Sequence, residues 1–500
     1  MIPPPPSRRP VNRPRPEGPE QDFAPRAKPL GSVLFLAGAW FTVGTMQGNP
    51  ASHLAHYAAI GIGLSLLASV IVDWRDGLLN LIRADLLAIL ALYFLTMFEF
   101  LFKQEHFDAQ ADIRSTRNAI IACVIGFSGV VIGRHLTNLR QQPLKKLFLT
   151  PTPRSWLLLI FVSCIFLGTI NMLMAVDFNV LEMLRYFMGP RFSQPWSRER
   201  LGDWKALLHE FEMFLELVPP IAGVIFARRS KFAGWQLFIT GLGLFFVLFY
   251  GFSGGTRNVF ATYLVTFLIS YAFALPLDRK KDLIVMSCAC AAMLVLSSVL
   301  MLQFRDLGLL KYVQGGYKYN IEHANEESVF IDYNLYSISR ITEVFPGAHP
   351  YLGWEVPYLA AIRPIPRALW PGKPEGMTFS IEDALGVEGL TVAASFVGEA
   401  YMSGGRVGVF LIGMFFGALM GWWSHLASAR NSELGILIYA SGFLAAVISM
   451  RSLFVFTTAI LPTVFALAGG YLLVLFWTRR KPTIRRLEPP PKHTPGGVTR

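Results

Sequence analysis

Residues 283–304 read LIVMSCACAAMLVLSSVLMLQF, a run without one charged side chain. A helix needs about 20 such residues to cross roughly 30 Å of hydrocarbon, so this stretch reads as a membrane span. It is preceded by Arg279, Lys280 and Lys281, the basic flank that resists translocation. Outward from it in both directions the pattern repeats. Apolar blocks separated by short polar breaks fall at 30–46, 54–72, 85–102, 119–133, 156–176, 206–227, 232–252 and 259–277, and after a long interval at 407–426, 434–450 and 453–477. The expectation is an all-α polytopic membrane protein with about twelve spans. Strands of a membrane barrel would alternate in segments of about ten residues, and no such alternation runs through the chain.

Composition agrees: charged residues make up 16% and the mean hydropathy is +0.44. Counted by face, most of the 45 Lys and Arg fall on the side of the N-terminus, which places both termini in the cytoplasm. The net charge of +12 then reads as topology and attraction to anionic lipid, with no need of nucleic acid. Trp156, Trp422, Trp423 and Trp477 fall at the proposed cytoplasmic boundaries, where amphipathic rings belong. Cys123, Cys164, Cys288 and Cys290 all lie inside spans, so neither an exported disulfide nor a metal site is expected. The third and sixth spans carry unusual charge: Arg83, Asp85 and Glu99 at one, and His209, Glu210, Glu212 and Glu216 in the other. His209, Glu212 and Glu216, at i, i+3 and i+7, form either a second site or an amphipathic interfacial stretch.

The chain therefore divides into a basic Pro-rich tail (1–29), spans one to nine (30–304), a large periplasmic loop between spans nine and ten (305–405), spans ten to twelve (406–477) and a basic tail (478–500). The tails lack the apolar residues to form a core. Long ordered loops are usually functional. This one has aromatic and aliphatic residues at helical spacing, Phe330, Tyr333, Ile341 and Val344, and short helices lying on the membrane surface are expected.

Three constellations carry chemistry. The first, Arg363-Pro-Ile-Pro-Arg367-Ala-Leu-Trp370-Pro-Gly-Lys373-Pro, sets three cations on a backbone stiffened by prolines. Stiffness lowers the entropy lost on gripping an anion, and the guanidinium fork suits a phosphate, so a diphosphate is the natural ligand; a solvated proline loop is the plain alternative. The second is Gly251-Phe-Ser-Gly-Gly-Thr256-Arg257-Asn258, where glycines and a helix start face Arg257, unless it is simply a short turn. The third is Ser395-Phe-Val-Gly-Glu399-Ala-Tyr401-Met-Ser-Gly-Gly-Arg406. A carboxylate entering a membrane helix is costly unless paired or used, so Glu399 is either a general base or the partner of Arg406 or Arg363. Arg451, between the last two spans, lies at the same outer level.

The runs Ile365-Pro-Arg367-x-x-Trp370-Pro-x-Lys373-Pro and Ala394-x-Phe-x-Gly-Glu399-Ala-Tyr401, with Gly-Thr-Arg257 before them, resemble the O-antigen and exopolysaccharide repeat-unit (Wzy-type) polymerases. The likeness covers roughly residues 252–423. It implies a GT-C-like, inner-membrane glycosyltransferase that joins oligosaccharide units carried on undecaprenyl diphosphate at the periplasmic face. It also implies metal-independent inversion without a cofactor, with Glu399 as base and Arg257, Arg363 and Arg367 on the diphosphate. Lys373, Trp370, Tyr401, Arg406 and Arg451 would bind substrate. Membrane lipid and a chain-length-regulating co-polymerase would be its partners. An O-antigen ligase differs mainly in acceptor. A transporter or flippase of lipid-linked sugar would instead need repeated halves and a charged midplane cavity.

Overall fold

The computed structural model describes residues 27–102, 104–136, 154–190, 193–196, 208–255, 257–276, 278–304, 308–315, 334–367, 369–385, 393–426 and 432–480. Most of both basic tails, Thr256, and Phe330 and Tyr333 of the long loop lie outside these residues. In chain order the α-helices are α1 (Pro29–Thr45), α2 (Ala51–Trp74), α3 (Ala84–Thr96), α4 (Ile113–Gly133), α5 (Arg154–Ala175) and α6 (Val180–Phe187). Then come α7 (Val218–Ala227), α8 (Gly234–Ser253), α9 (Arg257–Ala274), α10 (Lys280–Phe304) and α11 (Leu309–Gly315). The long loop contributes α12 (Asn334–Val344), α13 (Glu355–Ile362) and α14 (Ile381–Leu385), and the chain closes with α15 (Ser395–Leu426), α16 (Glu433–Ile448), α17 (Leu453–Ala459) and α18 (Leu461–Arg480). Among the described residues all regular structure is helical, and 7 stretches are long and apolar enough to cross a membrane. Helices α1, α3 and α16 are apolar but shorter. This is a multi-span helical membrane protein.

One end of the bundle is defined by buried ions. Arg83 Nη2 lies 2.7 Å from Asp73 Oδ2 and its Nε 3.0 Å from Asp85 Oδ1, while Arg134 Nη1 lies 3.4 Å from Asp85 Oδ2. The Ser424 hydroxyl donates to Asp85 at 2.9 Å, and Arg134 reaches Ser32. The start of α1, the end of α2, the start of α3 and the ends of α4 and α15 thus share one face, here termed the tail side. Arg83 and Asp85, at the start of the third predicted span, are therefore matched in the interior with Asp73 and Arg134, the arrangement that makes a buried charge tolerable.

The predicted sixth span is not one α-helix. A 3₁₀ segment, Glu210–Leu217, precedes α7, whose Pro219 and Pro220 sit in its first turn where a missing N–H costs nothing. At three residues per turn His209 and Glu212 line up, with Nδ1 2.9 Å from Oε1, and Tyr250 donates to Glu212 at 3.4 Å. The α-helical register expected for His209, Glu212 and Glu216 does not hold. Trp423 is also corrected: it is buried and donates from Nε1 to the Tyr439 carbonyl at 3.1 Å, a core contact rather than an interfacial anchor.

The long loop departs most from expectation. Helices α4 and α15 run parallel in tight contact: a Cβ on Gly133 would lie 2.2 Å from the Met414 carbonyl, and one on Gly417 2.1 Å from that of Val130. Small residues are what lets two membrane helices approach so closely. Arg406 Nη2 bonds Asn118 Oδ1 at 3.2 Å, which fixes the level of that end. Phe396 and Val397, however, lie against Gly126, eight residues along α4 and about 12 Å deeper at 1.5 Å per residue. Residues 395–403 therefore climb from inside the bundle, reverse at Gly404–Gly405, and continue as 406–426 back toward the tail side. The rings of Phe396 and Phe416 meet edge-on at 5.5 Å across this hairpin. Gly405 has φ 59 and ψ −147, a conformation open essentially to glycine alone.

Helix α12 does the same. Thr342 near its end reaches the Ser115 carbonyl at the start of α4, whereas Asn334 at its beginning accepts from the Ser395 N–H at 2.8 Å. Leu335, Ile338 and Ile341 are fully buried. Two loop helices thus plunge into the bundle instead of lying on the surface, because each has enough apolar side chain to fill an interior position.

Candidate functional site

Glu399 lies one turn above the buried start of α15 and is 5% exposed. The Ser452 hydroxyl donates to Oε1 at 2.6 Å, and the Leu453 N–H donates to Oε2 at 2.6 Å. Ser452 also caps α17, accepting from the Phe454 N–H at 3.1 Å. The carboxylate thus sits on a helix N-terminus, whose unpaired N–H groups and dipole favour an anion. The turn that holds it is itself anchored, as the Phe396 N–H donates to the Met450 carbonyl at 3.2 Å.

Above this turn packs α13. Its buried face, Val356, Leu359, Ala360 and Ile362, rests on the bundle, and Arg363 at its C-terminus stacks 5.7 Å from the Phe454 ring centroid. Arg363 is also the cation whose charge acts on Glu399. Of the two partners expected for Glu399, Arg363 is therefore the one brought near, and Arg406 is engaged by Asn118 on α4.

The proline segment is folded on itself. Lys373 Nζ donates to the carbonyls of Arg363 and Ile365, both at 2.8 Å, so it caps the end of α13. Arg367 donates to the carbonyls of Lys373 and Pro374 at 3.3 and 3.4 Å and lies 3.9 Å from Glu375. These cations therefore shape the loop through their bonds to its carbonyls. The Trp370 N–H closes a turn onto Pro366 and Arg367. Tyr401 is buried with its ring 6.2 Å from that of Tyr351. Beyond the proline segment, Asp383 accepts from the Ser380 N–H at 2.7 Å, which holds its carboxyl below the usual range.

A family model described as a domain of unknown function (DUF8712) matches residues 318–444. That window contains Arg363, Arg367, Trp370, Lys373, Glu399, Tyr401 and Arg406, and stops short of Arg451 and Ser452. It is more than a loop, since it takes in both inserted helices, all of α15 and most of α16. No curated protein and no solved structure matches the chain.

Arg451 lies in the same turn as Ser452, two residues before Leu453, and so belongs to the Glu399 cluster by position. Arg257 stands exposed at the start of α9, and no described contact joins it to Glu399 or Arg363. Residue patterns did not single out Ser452, Phe454 or Asn334. Ser452 and Asn334 carried a readable signal, a Ser or Asn just before an apolar helical run. Phe454 had none, because its role exists only where α13 crosses α17.

Proposed function

We propose that this protein is a membrane glycosyltransferase that polymerises undecaprenyl-diphosphate-linked oligosaccharide units into O-antigen or exopolysaccharide on the periplasmic face of the inner membrane. In this reading the chain crosses twelve times, GT-C-like, with both termini cytoplasmic, and the loop side faces the periplasm. The observation that carries it is the pairing of a preorganised carboxylate, Glu399, with a loop-borne guanidinium, Arg363, at the loop-side rim of the bundle.

The acceptor hydroxyl oxygen attacks the anomeric carbon, the bond from that carbon to the diphosphate oxygen breaks with inversion, and the hydroxyl proton passes to Glu399. The bonds from Ser452 and the Leu453 N–H fix the orientation of that carboxylate. Arg363 meets the charge that builds on the departing diphosphate, where a fixed cation acts without reorganising. Arg367 and Lys373 hold the segment in shape and place their positive charge on the same side as that anion. Arg451 extends the cationic rim, and Arg257 takes part only if the diphosphate spans toward α9.

The test is purified protein with a lipid-linked repeat unit, scored by the product ladder. Arg363→Ala should cut the rate by about 10²-fold or more with protein level unchanged. A full ladder from that variant removes the diphosphate role. A transporter of lipid-linked sugar is the second reading, favoured by one observation: α12 and residues 395–403 are half-helices whose beginnings meet inside the bundle, a construction used at transport sites. Lipid-linked sugar crossing into vesicles without any ladder would favour it.

A further inference from the structure

At the tail-side ends of α5, α7, α8 and α16 lies a cavity of about 330 Å³, away from the Glu399 cluster. Arg154, Arg228, Lys231 and Glu433 line its polar part, and Leu157, Val224 and Phe232 line the rest. Arg228 is paired with Glu433. Arg154 and Lys231 are left to set the sign of the cavity, and both are exposed. Arg154 is the first residue of a 22-residue helix, so the partial positive charge of the α5 N-terminus adds to theirs. The apolar wall begins one turn further in, at Leu157.

A cavity that is cationic at the helix ends and apolar one turn deeper matches a molecule with an anionic phosphate and an attached hydrocarbon chain. Its volume falls at the low end of small-ligand pockets, about 300–1,000 Å³, enough for a headgroup and the first part of a chain. Basic pockets between membrane helices on one leaflet are suited to phosphate headgroups in this way. We propose that this cavity binds the headgroup of an anionic phospholipid of the tail-side leaflet. The inference rests on the membrane architecture alone and stands whether or not the chain is a glycosyltransferase.

The experiment uses the full chain in detergent, with bound lipid counted by native mass spectrometry during titration with phosphatidylglycerol or phosphatidylcholine. The wild type should retain phosphatidylglycerol preferentially. Each cation near an anionic headgroup contributes about five-fold, so R154A/K231A should weaken retention by roughly 30-fold. R154K/K231R should restore it, which separates charge from fold. A photoreactive side chain at Phe232 should crosslink phosphatidylglycerol in the wild-type background and lose the product in R154Q/K231Q. Equal retention of the two lipids, unchanged retention in R154A/K231A, or full displacement of phosphatidylglycerol by glycerol phosphate would each overturn the proposal. The last outcome would mark a site for a soluble anion.

Discussion

At the tail-side end of the bundle Asp73, Arg83, Asp85 and Arg134 are buried and close on one another, with Ser424 and Ser32 completing the set. At the loop side Glu399 is held by Ser452 and the Leu453 N–H, while Arg363 above it is exposed and Arg367 and Lys373 are partly so. The first cluster matches two cations with two anions inside the protein and leaves no net charge for a ligand. The second sets one exposed cation, Arg363, near a buried carboxylate, with Arg367, Lys373 and Glu375 on the same proline-rich segment. The difference separates a structural clasp from a candidate site: charges that neutralise one another inside the protein hold helices together, and an exposed guanidinium above a buried carboxylate is within reach of a ligand.

Substitutions should break that contrast in a graded order. The largest effect is expected from Arg83→Ala, which takes from buried Asp73 its guanidinium partner and leaves Asp85 with Arg134 and Ser424: removing one partner of a buried pair costs about 3–5 kcal/mol, read as a lower melting temperature and less folded protein in the membrane. A melting curve like that of the wild type would mean that the clasp holds nothing. Glu399→Gln should act mainly on product. It keeps the shape and one of the two acceptors, setting its NH2 against either Ser452 or the Leu453 N–H, so stability should fall by about 1–3 kcal/mol, while loss of the proton acceptor, worth about 10²–10⁴-fold in base catalysis, should lower product per folded protein by that larger factor. An active Gln variant would make Glu399 a helix cap and nothing more.

Smaller effects sharpen the geometry. Gly405→Ala places a side chain in a glycine-only conformation and about on the Tyr351 hydroxyl, 2.5 Å from the ideal Cβ. Strain of this kind costs about 1–3 kcal/mol, and cysteine crosslinking between positions 396 and 416 should weaken if the hairpin loosens. The smallest effect is expected from Arg406→Gln, an exposed side chain whose described bond is to Asn118: within about 0.5 kcal/mol in stability. A large loss of product from that variant would return Arg406 to the site, beyond its place on α4.

The apolar runs determined by themselves that this is a helical membrane protein, because the length of an uncharged stretch is a local property that the bilayer reads directly. The same holds for Glu399 and Arg363 as candidates, since a carboxylate entering a span and cations on a proline-stiffened segment stand out without any fold. Local pattern could not decide where the long loop goes. Ile338, Ile341, Phe396 and Val397 suit a helix on the membrane surface as well as one inside the bundle, and only the glycine-lined space beside α4 and the reversal at Gly404–Gly405 choose the interior. Nor could it pair Glu399 with Ser452, Leu453 and Arg363, which come from three separate stretches. Those contacts exist because α13, the 450–452 turn and the first arm of α15 pack at one point, and packing between distant segments is the property that a linear pattern does not carry.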